Sequence, residues 1–269
     1  MKNIRSFKKM KNKKQPIAMI TAYDYSAAKL VQKAEIDLIL VGDSLGMVVL
    51  GYENTLQVTV DDIIHHTKAV KRGADDTFIV ADMPYKSYHI NKSRTKENAF
   101  KLIINGKANA VKIEGGSESR IEAIRAIVDC EIPVVAHLGL TPQSIHKFGG
   151  YRVQGKSSEE YENILNQAKK VEKAGAFMLV LEGIPEKLGK IITQELGIPT
   201  IGIGAGRYTD GQVLVYHDIL GLSDFKPKFV KQYNNLNKII FKDIVKYISD
   251  IKKGIFPAKE NIYQPIIED

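Results

Sequence analysis

The feature that most constrains the fold of this sequence is a short aliphatic run that recurs along the chain and ends in small or charged residues. The stretch 37–46, DLILVGDSLG, has four aliphatic residues before Gly42, Asp43 and Ser44. An uninterrupted apolar run of this length is typical of a strand buried on both faces, as in parallel sheets. The stretch therefore predicts a strand that delivers a carboxylate and a hydroxyl at its carboxyl end.

Similar runs, separated by stretches with helical spacing, predict eight strands in all. They lie at 17–22, 37–46, 78–83, 110–116, 133–139, 176–183, 199–206 and 212–218, and a last helix is predicted over about 229–251. Eight alternating repeats favour a (β/α)8 TIM barrel, and 269 residues suit a single barrel domain over 1–269. The alternative is a doubly wound sheet, but no GxGxxG motif opens the first strand-to-helix turn.

Composition and charge limit the partners of the protein. Hydrophobic residues make up 44% and charged residues 26% of the chain, as in soluble globular proteins, and no apolar run reaches the roughly 18 residues of a membrane span. The net charge of +8 comes mostly from 2–14 and 226–259. A solvated basic surface explains it better than nucleic-acid binding, for which no motif is present. A single cysteine, Cys130, favours a reducing compartment, and we expect a cytoplasmic protein.

The ends of the predicted strands carry charged or titratable residues. These residues are Asp43, Asp82, Lys112, Glu114, His137 and Glu182. In a TIM barrel the active site lies at the carboxyl ends of the strands, so residues there converge whatever their separation in sequence. We therefore expect all six side chains to face one pocket.

Four carboxylates in one pocket repel each other, and burial increases the cost of their charge. A divalent cation would offset both effects. Because oxygen ligands dominate and cysteine clusters are excluded, Mg²⁺ is favoured over Zn²⁺. Asp43 and Asp82 are the expected direct ligands, and Glu114 would bind directly or through water.

Each of these residues also has a structural alternative. A strand-terminal Asp often caps the following helix. Lys112 could be an ordinary strand lysine, although it shares a face with Glu114, which points inward in a barrel. His137 could be a satisfied core histidine, and Ser44 could simply tighten a turn. The segment 140–156 is longer than most loops and is a candidate lid.

The strand ends also form an ordered set of motifs. They are TAYDY at 21–25, VGDSLGM at 41–47, ADMP at 81–84, VKIEGG at 111–116, HLGLTPQ at 137–143, LEGIP at 181–185, IGIGAG at 201–206 and DGQVLV at 210–215. Together they resemble the ketopantoate hydroxymethyltransferase family along nearly the whole chain. Tyr85, Lys86 and Gly183 depart from the family pattern, but they flank the expected site and leave its ligands intact.

The resemblance implies a barrel of the phosphoenolpyruvate/pyruvate superfamily type that binds Mg²⁺. It implies transfer of a one-carbon unit from 5,10-methylenetetrahydrofolate to 3-methyl-2-oxobutanoate, through a Mg-stabilised enolate, to form 2-dehydropantoate in pantothenate biosynthesis. It also implies a homo-oligomer, a decamer in this family. The alternatives are another enolate-forming lyase or mutase of the superfamily, and a non-catalytic basic binding protein.

The resemblance also implies roles for individual residues. These are metal ligation for Asp43, Asp82 and Glu114, oxoacid contact for Ser44 and Lys112, and general-base catalysis for Glu182. We also place Asp43, Asp82 and His137 among the substrate contacts, because they line the same expected pocket.

Overall fold

The computed structural model describes residues 1–223 and 226–264. In this part of the chain, eight parallel strands form a closed barrel in sequence order, and β8 pairs with β1. The strands are β1 Ile17–Thr21, β2 Leu38–Val41, β3 Phe78–Asp82, β4 Ala110–Glu114, β5 Val134–Gly139, β6 Met178–Glu182, β7 Thr200–Ile203 and β8 Gly211–Leu214. The predicted (β/α)8 barrel is confirmed, and the doubly wound alternative is wrong.

Helices precede and follow the strands along the chain. Those of the described residues are α1 Ile4–Asn12, α2 Tyr25–Lys33, α3 Leu45–Val48, α4 Val60–Gly73, α5 Lys92–Ile104, α6 Glu118–Val128, α7 Ile145–Phe148, α8 Ser158–Lys173, α9 Glu186–Glu195, α10 Tyr216–Leu220 and α11 Leu236–Lys252. The predicted last strand is too long at its carboxyl end, because β8 stops at Leu214 and α10 begins two residues later. The last helix of the structure, α11, starts at Leu236, whereas the sequence predicted a start at about residue 229.

Alternate residues of each strand face the barrel interior and form one apolar core. This core contains Ile17, Met19, Leu38, Leu40, Phe78, Val80, Ala110, Val135, Met178, Val180, Ile201 and Val213. The basic segment 2–14 adds to it, because α1 buries Phe7 and Met10 on one face. The Phe7 ring packs edge to face on Phe78, the first residue of β3, with centroids 5.3 Å apart. Helix α1 therefore covers the amino-terminal end of the barrel, opposite the strand ends that carry charge.

The intervening strand residues face outward and pack against the helices. Ile39, Ile79 and Ile113 belong to this second core together with Val31, Val70 and other helix residues. Because both faces of each strand are buried, the strands read in sequence as continuous apolar runs. Polar side chains are left to the strand ends.

Two compact units make up the chain, Met1–Tyr216 and His217–Asp269. The first contains the barrel and all of the residues predicted for the site. The second contains α11, none of whose residues is buried. The single domain over 1–269 stays a prediction. None of the helices in the described residues combines the length and apolarity that a membrane crossing requires.

Candidate active site

The barrel brings the predicted strand-end residues together at one end. Asp82 continues the inward series of Phe78 and Val80 along β3, since alternate residues of a strand share a face. The register pairs Asp82 with Lys112 across β3 and β4, and Glu114 with His137 across β4 and β5. The expectation that these side chains meet in one place is therefore met by the geometry, whereas their chemical roles stay predictions.

Asp43 lies just after β2 and is tied to Asp82. Its backbone N–H donates to Asp82 Oδ2 at 2.8 Å, and both residues are buried. Neither side chain caps the helix after its own strand, because Ser44 occupies the cap position of α3 and Asn91 caps α5. The capping alternative is therefore wrong for both aspartates.

Lys112 is the central cation of the site. Its Nζ lies 2.8 Å from Asp82 Oδ1 and 3.4 Å from Glu114 Oε1. The side chain is only 4% exposed, so it is not an ordinary surface lysine. Burial alone would lower its pKa, but the surrounding carboxylates, with Asp82 foremost, raise the pKa of Lys112 above its usual value. Lys112 is therefore positively charged at neutral pH.

His137 joins two carboxylates that come from different strands. Its Nδ1 lies 3.1 Å from Glu114 Oε1, and its Nε2 lies 3.3 Å from Glu182 Oε2. Burial and the charge of Lys112 lower the pKa of His137, but Glu114 and Glu182 outweigh them and raise it to about 9. With a proton on both ring nitrogens, His137 is a cation that lies between the Glu114 and Glu182 carboxylates. It is buried, as a core histidine would be, but its partners belong to the site.

The six side chains carry more negative than positive charge. Four carboxylates face the two cations Lys112 and His137, which leaves two negative charges uncompensated when all are ionised. At Asp43, burial and then the charges of Asp82 and Glu114 raise the pKa well above the usual range. A divalent cation would neutralise this excess.

The donor set fits a metal that shares its coordination with substrate and water. No group of three or more His, Cys, Asp or Glu side chains in 1–223 and 226–264 is arranged to hold an ion on its own. Mg²⁺ does not need such a cage, since it typically uses one or two carboxylates and keeps other positions for substrate oxygens and water. Both oxygens of Glu114 already contact protein groups, namely Lys112, His137 and the Gln143 backbone. This favours the water-mediated role for Glu114.

Ser44 lies beside Asp43 at the start of α3. Its Oγ makes a 2.7 Å hydrogen bond with the hydroxyl of Tyr23, which follows β1 and is buried. Although Ser44 occupies the cap position, its side chain makes no capping hydrogen bond. Tyr23 therefore fixes the orientation of a hydroxyl next to the aspartates, which is more than the turn-tightening alternative requires.

Sequence reasoning missed two residues that complete the site, Gln143 and Tyr88. Gln143 Nε2 donates to Asp43 Oδ2 at 2.8 Å, and its backbone N–H donates to Glu114 Oε2 at 3.1 Å. The hydroxyl of Tyr88 donates to Gln143 Oε1. Tyr88 lies in a turn after β3 and Gln143 in a short 3-10 helix, Pro142–Ser144, after β5. The only sequence signal was the position of Gln143 at the end of the HLGLTPQ motif. The candidate lid 140–156 thus contains a residue, Gln143, that reaches into the site.

A polar cavity of about 270 Å³ lies beside the ends of β4 and β5. Its walls include Tyr88, Glu114, Arg120 and Gln143. The Arg120 guanidinium lies 5.0 Å from the centre of the Tyr88 ring, so a cation is stacked on an aromatic face at this wall. The site is therefore open to a polar ligand on the side of Glu114.

Comparison with known proteins agrees with the motifs. A family model described as ketopantoate hydroxymethyltransferase matches residues 1–259. The chain is 55% identical to the 3-methyl-2-oxobutanoate hydroxymethyltransferase of Clostridium kluyveri, over 96% of this chain and 92% of that one. It is also 55% identical to the enzyme of that name from Geobacillus thermodenitrificans, over 98% and 94% of the two chains.

A solved structure shows the same fold at low identity. The 2,3-dimethylmalate lyase, described as a PEP mutase/isocitrate lyase superfamily member, superposes with a TM-score of 0.61 and 13% identity, over 97% of this chain and 91% of the lyase. The barrel is therefore of the type found in that superfamily. With the family match over nearly all of its length, the chain belongs to the ketopantoate hydroxymethyltransferase family.

Proposed function

We propose that this protein transfers a hydroxymethyl unit from 5,10-methylenetetrahydrofolate to 3-methyl-2-oxobutanoate and forms 2-dehydropantoate, a step in pantothenate biosynthesis. Family membership over nearly the full chain carries this proposal. The buried charged network supports it, because a 2-oxoacid is an anion whose C3 proton must be removed by a base before carbon–carbon bond formation.

Mg²⁺ is the metal that we propose for the site, with Asp43 and Asp82 as its ligands and Glu114 acting through water. The excess negative charge and the raised pKa of Asp43 support this assignment. When bound, the ion would supply Lewis-acid stabilisation of negative charge on the oxoacid oxygens.

The chain's own residues divide the remaining work. Glu182 accepts the C3 proton, and protonated His137 holds the Glu182 carboxylate in place through Nε2. Lys112 brings a fixed positive charge to the pocket where the substrate carboxylate and the developing oxyanion are bound, which stabilises charge without reorganisation. Ser44, oriented by Tyr23, contributes a hydroxyl to the oxoacid. The resulting C3 nucleophile attacks the methylene carbon of the folate, and one C–N bond of that carbon breaks as its nitrogen takes the electron pair. Water then replaces the second folate nitrogen on the same carbon, which supplies the hydroxyl of the product and releases tetrahydrofolate.

The main alternative is another enolate-forming lyase or mutase, because proteins of this fold include lyases. Folate dependence separates the two. The protein is incubated with Mg²⁺, 3-methyl-2-oxobutanoate and 5,10-methylenetetrahydrofolate, and the products are analysed by mass spectrometry. We expect a hydroxymethylated oxoacid, and failure to form it while the C3 proton exchanges would favour the alternative. The non-catalytic binding protein predicts neither exchange nor product.

We also propose that the protein is a cytoplasmic homo-oligomer, a decamer by family resemblance. Helix α11 supports an assembly, because none of its residues is buried although it carries a series of apolar side chains. Those that are strongly exposed include Ile239, Ile240, Phe241, Ile244, Val245, Tyr247, Ile248 and Ile251. Contiguous apolar surface of this kind is typical of protein–protein contacts.

A further inference from the structure

Gln143 holds two carboxylates of the site at once. The side-chain Nε2 donates to Asp43 Oδ2 at 2.8 Å, and the backbone N–H donates to Glu114 Oε2 at 3.1 Å. Gln143 is 5% exposed, so neither hydrogen bond competes strongly with water. Within the described residues, the Asp43 carboxylate is hydrogen-bonded through Oδ2 alone. Gln143 therefore fixes one oxygen of Asp43 and leaves the other for a different ligand.

The orientation of the Gln143 amide is determined by its neighbours. Nε2 also donates to the backbone carbonyl of Met83 at 3.0 Å. A backbone carbonyl can only accept, so the amide nitrogen must face Met83, and the same nitrogen lies 2.8 Å from Asp43 Oδ2. The amide oxygen then faces Tyr88, whose hydroxyl donates to it.

Tyr88 completes this arrangement from a different loop. It lies between β3 and α5, is 3% exposed, and accepts the backbone N–H of Glu114 on its hydroxyl at 3.3 Å. Because the hydroxyl accepts from Glu114, its single proton is directed to Gln143. Four hydrogen bonds thus connect Tyr88, Gln143, Asp43 and Glu114, and the amide has no alternative orientation that satisfies them.

We propose that Gln143, oriented by Tyr88, is a positioning residue that holds Asp43 and Glu114 in the geometry that a divalent cation requires. The inference rests on the proposed Mg²⁺ site and adds the residues that arrange its ligands. Without the amide, the carboxylates of Asp43, Asp82 and Glu114 would repel one another and turn apart. Hydrogen-bond partners of metal ligands typically contribute about 10–100-fold to metal affinity.

Binding of Mn²⁺, followed by electron paramagnetic resonance of the free ion, tests the proposal on the full chain. The variants are Gln143→Leu, Tyr88→Phe and the double variant. Matched controls are Gln154→Leu, whose side chain donates to the Arg152 carbonyl in the same segment 140–156, and Tyr161→Phe on α8. We expect Q143L to weaken Mn²⁺ binding by about tenfold or more, Y88F to weaken it less, and the controls to bind like the wild type.

The double variant shows whether Tyr88 acts through Gln143. In the Q143L background, Y88F should change the dissociation constant by less than about twofold, because the amide that it orients is gone. If Y88F changed the Mn²⁺ dissociation constant by the same factor in the wild type and in Q143L, Tyr88 would act independently of Gln143. That result would overturn the proposal. If Q143L does not fold, Mn²⁺ binding by the Y88F variant alone tests the proposal. Thermal unfolding in EDTA identifies a variant whose weaker Mn²⁺ binding results only from a destabilised fold.

Exchange of the C3 proton of 3-methyl-2-oxobutanoate in D2O gives a second readout. Y88F should raise the Mn²⁺ concentration needed for half-maximal exchange and leave the rate at saturating Mn²⁺ within about twofold of the wild type. Variants that bind Mn²⁺ as tightly as the wild type would overturn the positioning role and leave the proposed function standing. A wild-type protein that binds no Mn²⁺ would instead overturn the proposed metal site and this inference with it.

Discussion

His137 Nε2 lies 3.3 Å from Oε2 of Glu182, although the two residues are on separate strands. The other ring nitrogen, Nδ1, is held by Glu114 at 3.1 Å, so the orientation of the imidazole is fixed from both sides. Its pKa of about 9 keeps the ring protonated at neutral pH. The proposed base is therefore held by a cation whose own position depends on a proposed metal-site carboxylate.

Glu182→Gln should abolish proton abstraction without removing the metal site. The substitution keeps the size of the side chain but removes its basicity, and general-base catalysis typically contributes about 10²–10⁴-fold. Exchange of the C3 proton, followed by NMR in D2O, should fall by that amount while Mn²⁺ binding stays measurable. Glu186→Gln on α9 is the control, because that carboxylate pairs with exposed Arg207 and should leave exchange unchanged. Retained exchange in E182Q would point to a different base.

Replacing His137 should separate its two contacts. Asn can keep a donor near the Nδ1 position, facing Glu114, whereas Gln can reach the Nε2 position, facing Glu182. We expect His137→Asn to lower the exchange rate by roughly 100-fold, since a misplaced catalytic group has an effect of that order. His137→Gln should lower it less. Equal losses in the two variants would contradict an orienting contact with Glu182.

Lys112→Met should destabilise the protein as well as weaken oxoacid binding. The substitution leaves buried Asp82 without its nearest cation and removes one of the two cations beside Glu114, and breaking a buried ion pair typically costs about 3–5 kcal/mol. Chemical denaturation in EDTA measures the stability, and the KM for the oxoacid reports binding. Lys101→Met is the matched control, because its pair with Glu97 is exposed on α5 and should contribute little. Equal stability of K112M and K101M would show that Lys112 does not offset the carboxylates.

The charged strand ends could be predicted because barrel geometry alone collects them. Asp82, Glu114 and Glu182 are the last residues of buried strands, and Lys112 and His137 lie two residues before the ends of theirs. A closed parallel sheet places all such ends on one side. Neither the long sequence separations nor the irregular loops matter to that inference. For this reason the sequence identified the charged part of the site before any contact was known.

Residues outside the strands were harder to predict. Tyr88 and Gln143 come from the connections after β3 and β5, whose paths depend on packing rather than on a periodic pattern. Helix α1 was missed because only Phe7 and Met10 among its many lysines are buried, so its composition suggested a solvated basic end. The carboxyl end of β8 was misplaced because Val215 and Tyr216 are typical strand residues, although Tyr216 already begins α10.

A charge on the apolar side of α11 should disrupt the proposed assembly. Ile244 is 52% exposed, and burying an aspartate there in a contact between subunits would be strongly unfavourable. Ile244→Asp should reduce the mass measured by light scattering after size exclusion, and Lys242→Asp on the same helix is the control. An unchanged mass for I244D would exclude this part of α11 from the interface.

Asp43→Asn should abolish metal binding and yet stabilise the metal-free protein. Burial and the charges of Asp82 and Glu114 make an ionised Asp43 unfavourable in the fold, and an amide avoids that cost. For a chain of this size each kcal/mol relieved should raise Tm by about 2–4 °C. Asp43→Ala should likewise lose metal and activity together, but it also removes the partner of Gln143.

The gain in Tm of D43N over the wild type should increase with pH. Below the ordinary pKa of 3.8, Asp43 is protonated in the folded and the unfolded chain, so the substitution offers no electrostatic advantage. Above it, the unfolded chain ionises while the folded chain still binds the proton, so wild-type stability falls as pH rises towards the raised pKa. In EDTA, the Tm difference between D43N and the wild type should therefore be larger at about pH 8 than at about pH 5. Asp75→Asn is the control, because that exposed carboxylate has a lowered pKa and should show no gain. A larger Tm gain at the lower pH would mean that Asp43 is stabilised as an anion in the metal-free site. The protein itself would then balance the negative charge that we assign to a bound cation.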